Sequence, residues 1–129
     1  MPLDIGFTLP EGGHERRLQF QHDAVYWYLH PWFQRVREAT GKSVDLYGDA
    51  EFHDAAGLSV LEKAMAEART AAQAQPPQWP VHMGTQYRPQ RQELYENVRR
   101  VDVLQALDRL QALMQEARVR GQALVLLGD

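Results

Sequence analysis

The stretch from Arg91 to Arg120, RQELYENVRRVDVLQALDRLQALMQEARVR, decides how the second half of the chain folds. It contains neither glycine nor proline, so composition alone would allow one long helix. From Val103 onward, apolar residues recur every three or four positions and share one side of a helix. Leu94, Val98 and Val101 would lie on the opposite side of that same helix. The reversal predicts two separate elements, with a break near Val101.

The second of these elements is predicted to be a helix with defined ends. Asp102 stands three residues before Gln105, a spacing that is typical of a capping box at a helix start. Gly121 is the residue type that commonly ends a helix, because it adopts a left-handed conformation without strain. We therefore expect a helix over 103–120.

Several segments outside this helix have the composition of strands. We expect a strand over 79–86, of which 81–86 pairs in a hairpin with 93–98 through a turn at 87–90. The continuous apolar run at 123–127 is typical of a strand that is buried on both faces. Residues 44–47 alternate and are rich in strand-forming side chains, so they are predicted to lie beside 123–127 at the centre of the sheet.

The N-terminal segment is predicted to be less regular. Residues 1–17 are interrupted by glycine and proline, which predicts an irregular lead-in. The alternation Leu18-Gln19-Phe20-Gln21 then indicates an edge strand.

Two further helices are expected between these strands. The first would begin at Asp23 as its cap and end at Gly41, with Pro31 either kinking it or starting a second helix. The second covers 55–75, with Asp54 as its cap.

Together these elements predict a single α/β domain of the α+β kind, spanning residues 1–129. Three helices would pack against a mixed sheet of four to five strands. A chain of 129 residues is long enough to bury its own core without disulfides or metals.

Composition excludes several classes of function. The chain has no cysteine, which excludes disulfide scaffolds, thiolate metal sites and cysteine nucleophiles. The formal net charge of −3 argues against nucleic acid as a partner. We find no signal peptide and no apolar run long enough for a membrane span, so a cytoplasmic location is expected.

A polar stretch and one histidine offer the main candidates for chemistry. Asp45, Tyr47, Asp49 and His82 would lie near strand ends, where α/β sheets place ligands. They support an alternative prediction, a small enzyme or ligand-binding domain. The acids also have turn and cap explanations, and their spacing matches no common metal-binding motif. We therefore expect that the protein binds no metal and no cofactor, and we assign no catalytic residue.

A second set of residues favours protein binding. Trp27 lies away from the apolar stripe of its own helix, and tryptophan often dominates the binding energy of interfaces. Asp49 and Glu51 would add negative charge that steers a basic partner.

A series of short motifs carries a resemblance along most of the chain. The motifs are Tyr26-Trp27-Tyr28-Leu29, Thr40-Gly41, Asp45-Leu46-Tyr47-Gly48-Asp49-Ala50, Trp79-Pro80-Val81-His82-Met83-Gly84-Thr85-Gln86, Glu93-Leu94-Tyr95 and Gly128-Asp129. Their order resembles small bacterial single-domain proteins that are similar to the immunity proteins of polymorphic toxins. The resemblance implies a cytoplasmic binding module and no catalytic residues.

The sequence thus leaves three hypotheses. The first, which it favours, is a non-enzymatic protein-binding module that neutralises a bacterial toxin, with a basic toxin domain as partner. The second is the small enzyme or ligand-binding domain. The third is a homodimer assembled through the alanine-rich helix 55–75 or through an edge strand.

Overall fold

A computed structural model describes residues 3–20 and 22–128. In chain order the elements are β1 (Asp4–Thr8), β2 (His14–Gln19), α1 (Asp23–Thr40), β3 (Asp49–Phe52), α2 (Ala55–Gln73), β4 (Gln78–Gln86), β5 (Gln92–Arg99), α3 (Arg100–Arg120) and β6 (Leu124–Leu127). The α+β class and the three helices are as predicted. Residues 1, 2, 21 and 129, which belong to the predicted lead-in, edge strand and terminal motif, lie outside the described residues.

The main sheet has four strands in the order β2-β1-β6-β3, and every neighbouring pair is antiparallel. The prediction of a mixed sheet is therefore wrong. The predicted strand at 123–127 is confirmed as β6, whose four residues are all buried. It lies between β1 and β3, which pair with its backbone along both edges.

The hydrophobic core joins one face of this sheet to the helices. Leu124 and Leu126 of β6 belong to the core cluster, together with Ile5 of β1 and Phe52 of β3. Helix α2 packs against both α1 and α3. Its buried residues share one apolar stripe and include Leu58, Leu61, Met65, Ala68 and Ala72.

Helix boundaries follow the sequence signals at three of the predicted positions. The carboxylate of Asp54 accepts a hydrogen bond from the backbone N–H of Gly57 at 2.6 Å, which confirms it as the cap of α2. Gly41 ends α1 with a φ of 76°, as expected for a left-handed cap. Gly121 ends α3 in the same way. Helix α1 runs through Pro31 as one element, so no second helix begins there.

Two predicted caps are wrong. His22, not Asp23, occupies the cap position of α1, and Asp23 lies in the first turn. Helix α3 begins at Arg100, and Asp102 makes no cap hydrogen bond. The guanidinium of Arg99 instead donates to both oxygens of Asp102, at 2.9 and 3.0 Å. The predicted break between strand and helix is confirmed, two residues earlier than expected.

The strand predicted at 44–47 does not form. The side chain of Asp45 accepts a hydrogen bond from the N–H of Tyr47 at 2.8 Å, which favours a turn. Val44 and Leu46 are still buried, so their alternation reflects core packing rather than pairing. The strand beside β6 starts five residues later than predicted, as β3.

The irregular lead-in predicted over 1–17 is also wrong, because β1 and β2 form a hairpin there. Gly12 and Gly13, with φ of 93° and 80°, make the connection between these strands. Gly6 lies inside β1, where a Cβ atom would stand 1.8 Å from the carbonyl oxygen of Glu15. These glycines are therefore requirements of the hairpin and not signs of irregularity.

The hairpin predicted between 81–86 and 93–98 is confirmed, but it stands apart from the main sheet. Strands β4 and β5 pair only with each other. The hairpin is attached to α1, where the rings of Trp79 and Tyr28 meet edge to face at 5.3 Å. Val81 and Val98 are its fully buried side chains.

Candidate functional site

The far half of the β4–β5 hairpin leaves the body of the domain. All six residues 92–97 of β5 are exposed, whereas Val98 at its base is buried. The outer part of β5 therefore has little packing against the described chain, whereas Trp79 and Met83 of β4 pack against the core. The exposed residues of β5 are therefore available for contact with a partner.

One face of the hairpin carries a polar cluster across the two strands. His82 on β4 lies opposite Tyr95 on β5, with the rings edge to face and 5.3 Å apart. The Nε2 atom of His82 lies 2.5 Å from Oε2 of Glu93. Thr85 donates to the same carboxylate oxygen at 2.9 Å, and Arg91 donates to the other at 3.3 Å.

These contacts change the acidity of Glu93. The hydrogen bond from His82 lowers the pKa of Glu93, and those from Thr85 and Arg91 lower it further. The carboxylate is therefore ionised at neutral pH and ties both strands together. Because the cluster is exposed to solvent, it orders the hairpin more than it stabilises the domain.

The same hairpin carries exposed apolar side chains. Tyr87 is 71% exposed, Tyr95 62% and Leu94 38%. Tyrosine is enriched at protein interfaces because it buries a large area while its hydroxyl keeps a hydrogen-bonding partner. A single exposed apolar residue is ordinary, but three on one hairpin favour an interaction surface, with Leu94 and Tyr95, as neighbours in β5, on opposite faces of it.

A separate apolar groove lies at the base of the hairpin. It encloses about 690 Å³ between the start of α3 and the chain entering β4. Pro77, Val101 and Leu104 supply apolar lining, and Val101 is 60% exposed. Arg99 and Arg100 stand at the groove, engaged with Asp102 and with the carbonyl of Gln75, respectively.

Trp27, predicted to be an exposed interface residue, is only partly buried and packs against the core. Its ring meets Tyr26 edge to face at 5.2 Å and lies 5.2 Å from His30. The side chain is thus neither fully buried nor free. Its role in binding stays a prediction, and its packing against the core gives it a structural role as well.

Asp49 and Glu51 are exposed on β3, the strand at one edge of the main sheet. They alternate with Ala50 and Phe52, which are buried. The sequence suggested that this acidic pair lies in a turn. In the structure it lies on a strand at the edge of the sheet. The described contacts do not join either acid to Trp27.

The residues of the alternative site have separate environments. Asp45 and Tyr47 share one turn, while His82 lies on the hairpin with Glu93 and Tyr95 as its neighbours. Asp49 follows on the edge strand. No hydrogen bond or ion pair in the described structure brings His82 to Asp45 or Tyr47, so the geometry gives no support to a shared catalytic centre.

Two further observations concern metals and membranes. Within residues 3–20 and 22–128, no group of three or more histidine and carboxylate side chains could hold a metal ion. No helix in the described part of the chain is long and apolar enough to cross a bilayer.

None of the protein-family models, curated proteins or solved structures compared with the chain matches it significantly. The resemblance to immunity proteins therefore stays a prediction. The candidate binding surface is the β4–β5 hairpin. Its exposed apolar residues, Tyr87, Leu94 and Tyr95, were not among the site residues predicted from the sequence. Their signal was the sequence Glu93-Leu94-Tyr95-Glu96, which puts an apolar residue on each face of a strand between two charges.

Proposed function

We propose that this chain is a protein-binding domain that uses the β4–β5 hairpin as its main contact surface. The observation that carries the proposal is the exposure of Tyr87, Leu94 and Tyr95 on a hairpin that pairs with no other strand. These side chains offer apolar area that a partner can remove from water. A separate apolar groove beside Val101 and Leu104 lies at the base of the same hairpin.

The polar cluster supports this function by ordering the surface before a partner arrives. A two-stranded hairpin alone is only marginally stable in water. Here His82 and Thr85 on β4 both engage Glu93 on β5, and Trp79 anchors the base to α1. A surface that is already ordered loses less conformational entropy on binding, which favours affinity.

The toxin-neutralising role that the resemblance implies is the specific form of this proposal. Such a domain would be a non-enzymatic cytoplasmic protein that covers a basic toxin domain. The exposed acids Asp49 and Glu51 support a positively charged partner, since their negative charge would speed its association at low salt.

The test uses the product of the neighbouring open reading frame as the binding partner. Both proteins would be purified and their affinity measured by calorimetry, with Tyr87→Ala and Leu94→Ala in this chain. We expect each variant to weaken binding by about tenfold or more, as for residues near the centre of an interface.

Val119→Ala is the matched control, because Val119 is 82% exposed but lies at the far end of α3. It should leave the affinity unchanged. Equal affinity for all three variants, or no complex with any partner encoded nearby, would contradict the proposal.

A further inference from the structure

The free edge of β3 differs from the opposite edge of the sheet. Strand β3 pairs with β6 along one side in an unbroken register, from Asp49 opposite Leu127 to Phe52 opposite Leu124. The hydrogen bonds described for the chain include none that reach its other side. In an antiparallel sheet, alternate residues of an edge strand direct their N–H and C=O groups outward, ready to pair with another strand.

The opposite edge, β2, is protected from such pairing. A register shift between Ile5 and Gly6 bends the hairpin there. Arg17 of β2 binds Glu116 of α3 at 2.8 Å, and Arg120 of α3 approaches Glu15 of β2 at 3.7 Å. Bulges and charged side chains are the usual means of protecting an edge strand. Strand β3 has neither a bulge nor a described ion pair.

Charge decides which kind of strand could add to β3. Asp49 and Glu51 project from the same face and are exposed, with no ion pair among the described residues. An antiparallel second copy of β3 would place an acid opposite an acid in every register that keeps the buried residues on the core side. Like charges directly opposite each other destabilise a strand pair, which argues against self-association.

We propose that the free edge of β3 accepts a basic extended segment of a protein partner as a fifth strand of the sheet. The inference rests on the proposed protein-binding function and adds a second contact with a defined chemistry. Lysine or arginine at alternate positions would lie on the face of Asp49 and Glu51. The backbone of the segment would satisfy the free edge, which is the usual source of affinity in strand addition.

The probe for this edge is a capped octapeptide of alternating lysine and valine. Its binding to the full-length chain, labelled with nitrogen-15, would be followed by NMR. We expect amide shifts to centre on 49–52. The double variant Asp49→Asn, Glu51→Gln should weaken binding by about tenfold, while Glu38→Gln, an exposed acid on α1, should not.

Two N-methylated peptides separate strand pairing from simple charge attraction. In an extended segment the N–H groups of all lysines point to one edge and those of all valines point to the other. Methylating one set should therefore abolish binding, and methylating the other should preserve it. Equal binding of both methylated peptides would show charge contact alone and would overturn the inference.

The remaining outcomes are also decisive. Shifts centred on the hairpin, concentration-dependent shifts at 49–52 without peptide, or no binding would each overturn the inference. The Tyr87→Ala variant should bind the peptide normally, because the hairpin is a separate surface. If the peptide does not bind while Tyr87→Ala still weakens the complex with the partner, strand addition at β3 is rejected and the proposed protein-binding function is retained.

Discussion

The hydroxyl of Tyr28 on α1 donates a hydrogen bond of 2.9 Å to the backbone carbonyl of Ala68 on α2. The same ring meets Trp79 of β4 edge to face and lies 5.1 Å from Trp32. One side chain therefore joins two helices to the hairpin that carries the proposed binding surface. Changes at Tyr28 should affect both the stability of the domain and the orientation of that hairpin.

We expect Tyr28→Phe to lower the free energy of unfolding by about 0.5–1.5 kcal/mol, since it removes one buried hydrogen bond and keeps the ring. Urea unfolding at neutral pH is the measurement. Tyr47→Phe is the matched control, because Tyr47 is 70% exposed. Equal stability of the Tyr28→Phe variant and the parent would show that the hydrogen bond contributes nothing.

Alkaline pH should destabilise the domain through two buried tyrosines. Burial raises the pKa of Tyr26 and of Tyr28 from 10.0 to about 12. The unfolded chain loses these protons first, so their contribution is complete below pH 10 and is lost as pH rises toward 12. Unfolding free energies across this range should fall more steeply for the parent than for the Tyr26→Phe, Tyr28→Phe double variant. If the unfolding free energies of the parent and the double variant fell equally with pH, the loss of stability would not come from Tyr26 and Tyr28.

The apolar stripe of α3 should contribute strongly to stability. Leu107 and Leu110 are 2% and 0% exposed. Truncation of either to alanine should cost about 2–5 kcal/mol, the range for a buried leucine that leaves a cavity. Val119→Ala should change stability little. A small effect at Leu110 would mean that α3 packs differently.

Trp27 should affect stability as well as binding. Because its ring is partly buried against Tyr26, Trp27→Ala should cost about 1–3 kcal/mol, less than a fully buried tryptophan. Trp27→Phe keeps an aromatic contact and should recover most of that loss. If Trp27 also contacts the partner, this stable variant should still bind about tenfold more weakly. Full affinity of Trp27→Phe would remove Trp27 from the interface.

Added metal should leave the melting temperature unchanged. Binding to the native state alone would raise it, so calorimetric scans with zinc, calcium or magnesium, each repeated with chelator, provide the test. A rise of several degrees that chelator reverses would contradict the expectation that this protein holds no metal.

Local patterns predicted those parts of the fold whose signals are local. The reversal of apolar phase after Val98 separated β5 from α3, because a helix and a strand repeat at different periods. Asp54 and Gly41 were identified as helix ends from residue type alone. The hairpin β4–β5 followed from two short strand patterns around a turn.

Other features were outside the reach of local patterns. The alternation at 44–47 suggested a strand, yet whether a segment with buried alternate residues pairs with a neighbour depends on what lies beside it. Gly6 looked like an interruption, although the close approach of Glu15 from β2 is what requires glycine there. The exposure of Leu94 and Tyr95 was missed, since the charges beside them do not by themselves show that the hairpin stays outside the main sheet.

The sequence by itself determined the kinds of element, most of their ends and the apolar stripes of the helices, because backbone preference and side-chain period act over a few residues. Only the tertiary structure decided strand order, the free edge at Asp49 and Glu51, and the projecting surface at Tyr87 and Tyr95. These features depend on contacts between segments far apart in the chain. Exposure is a property of the packed domain, and it made the candidate surface visible.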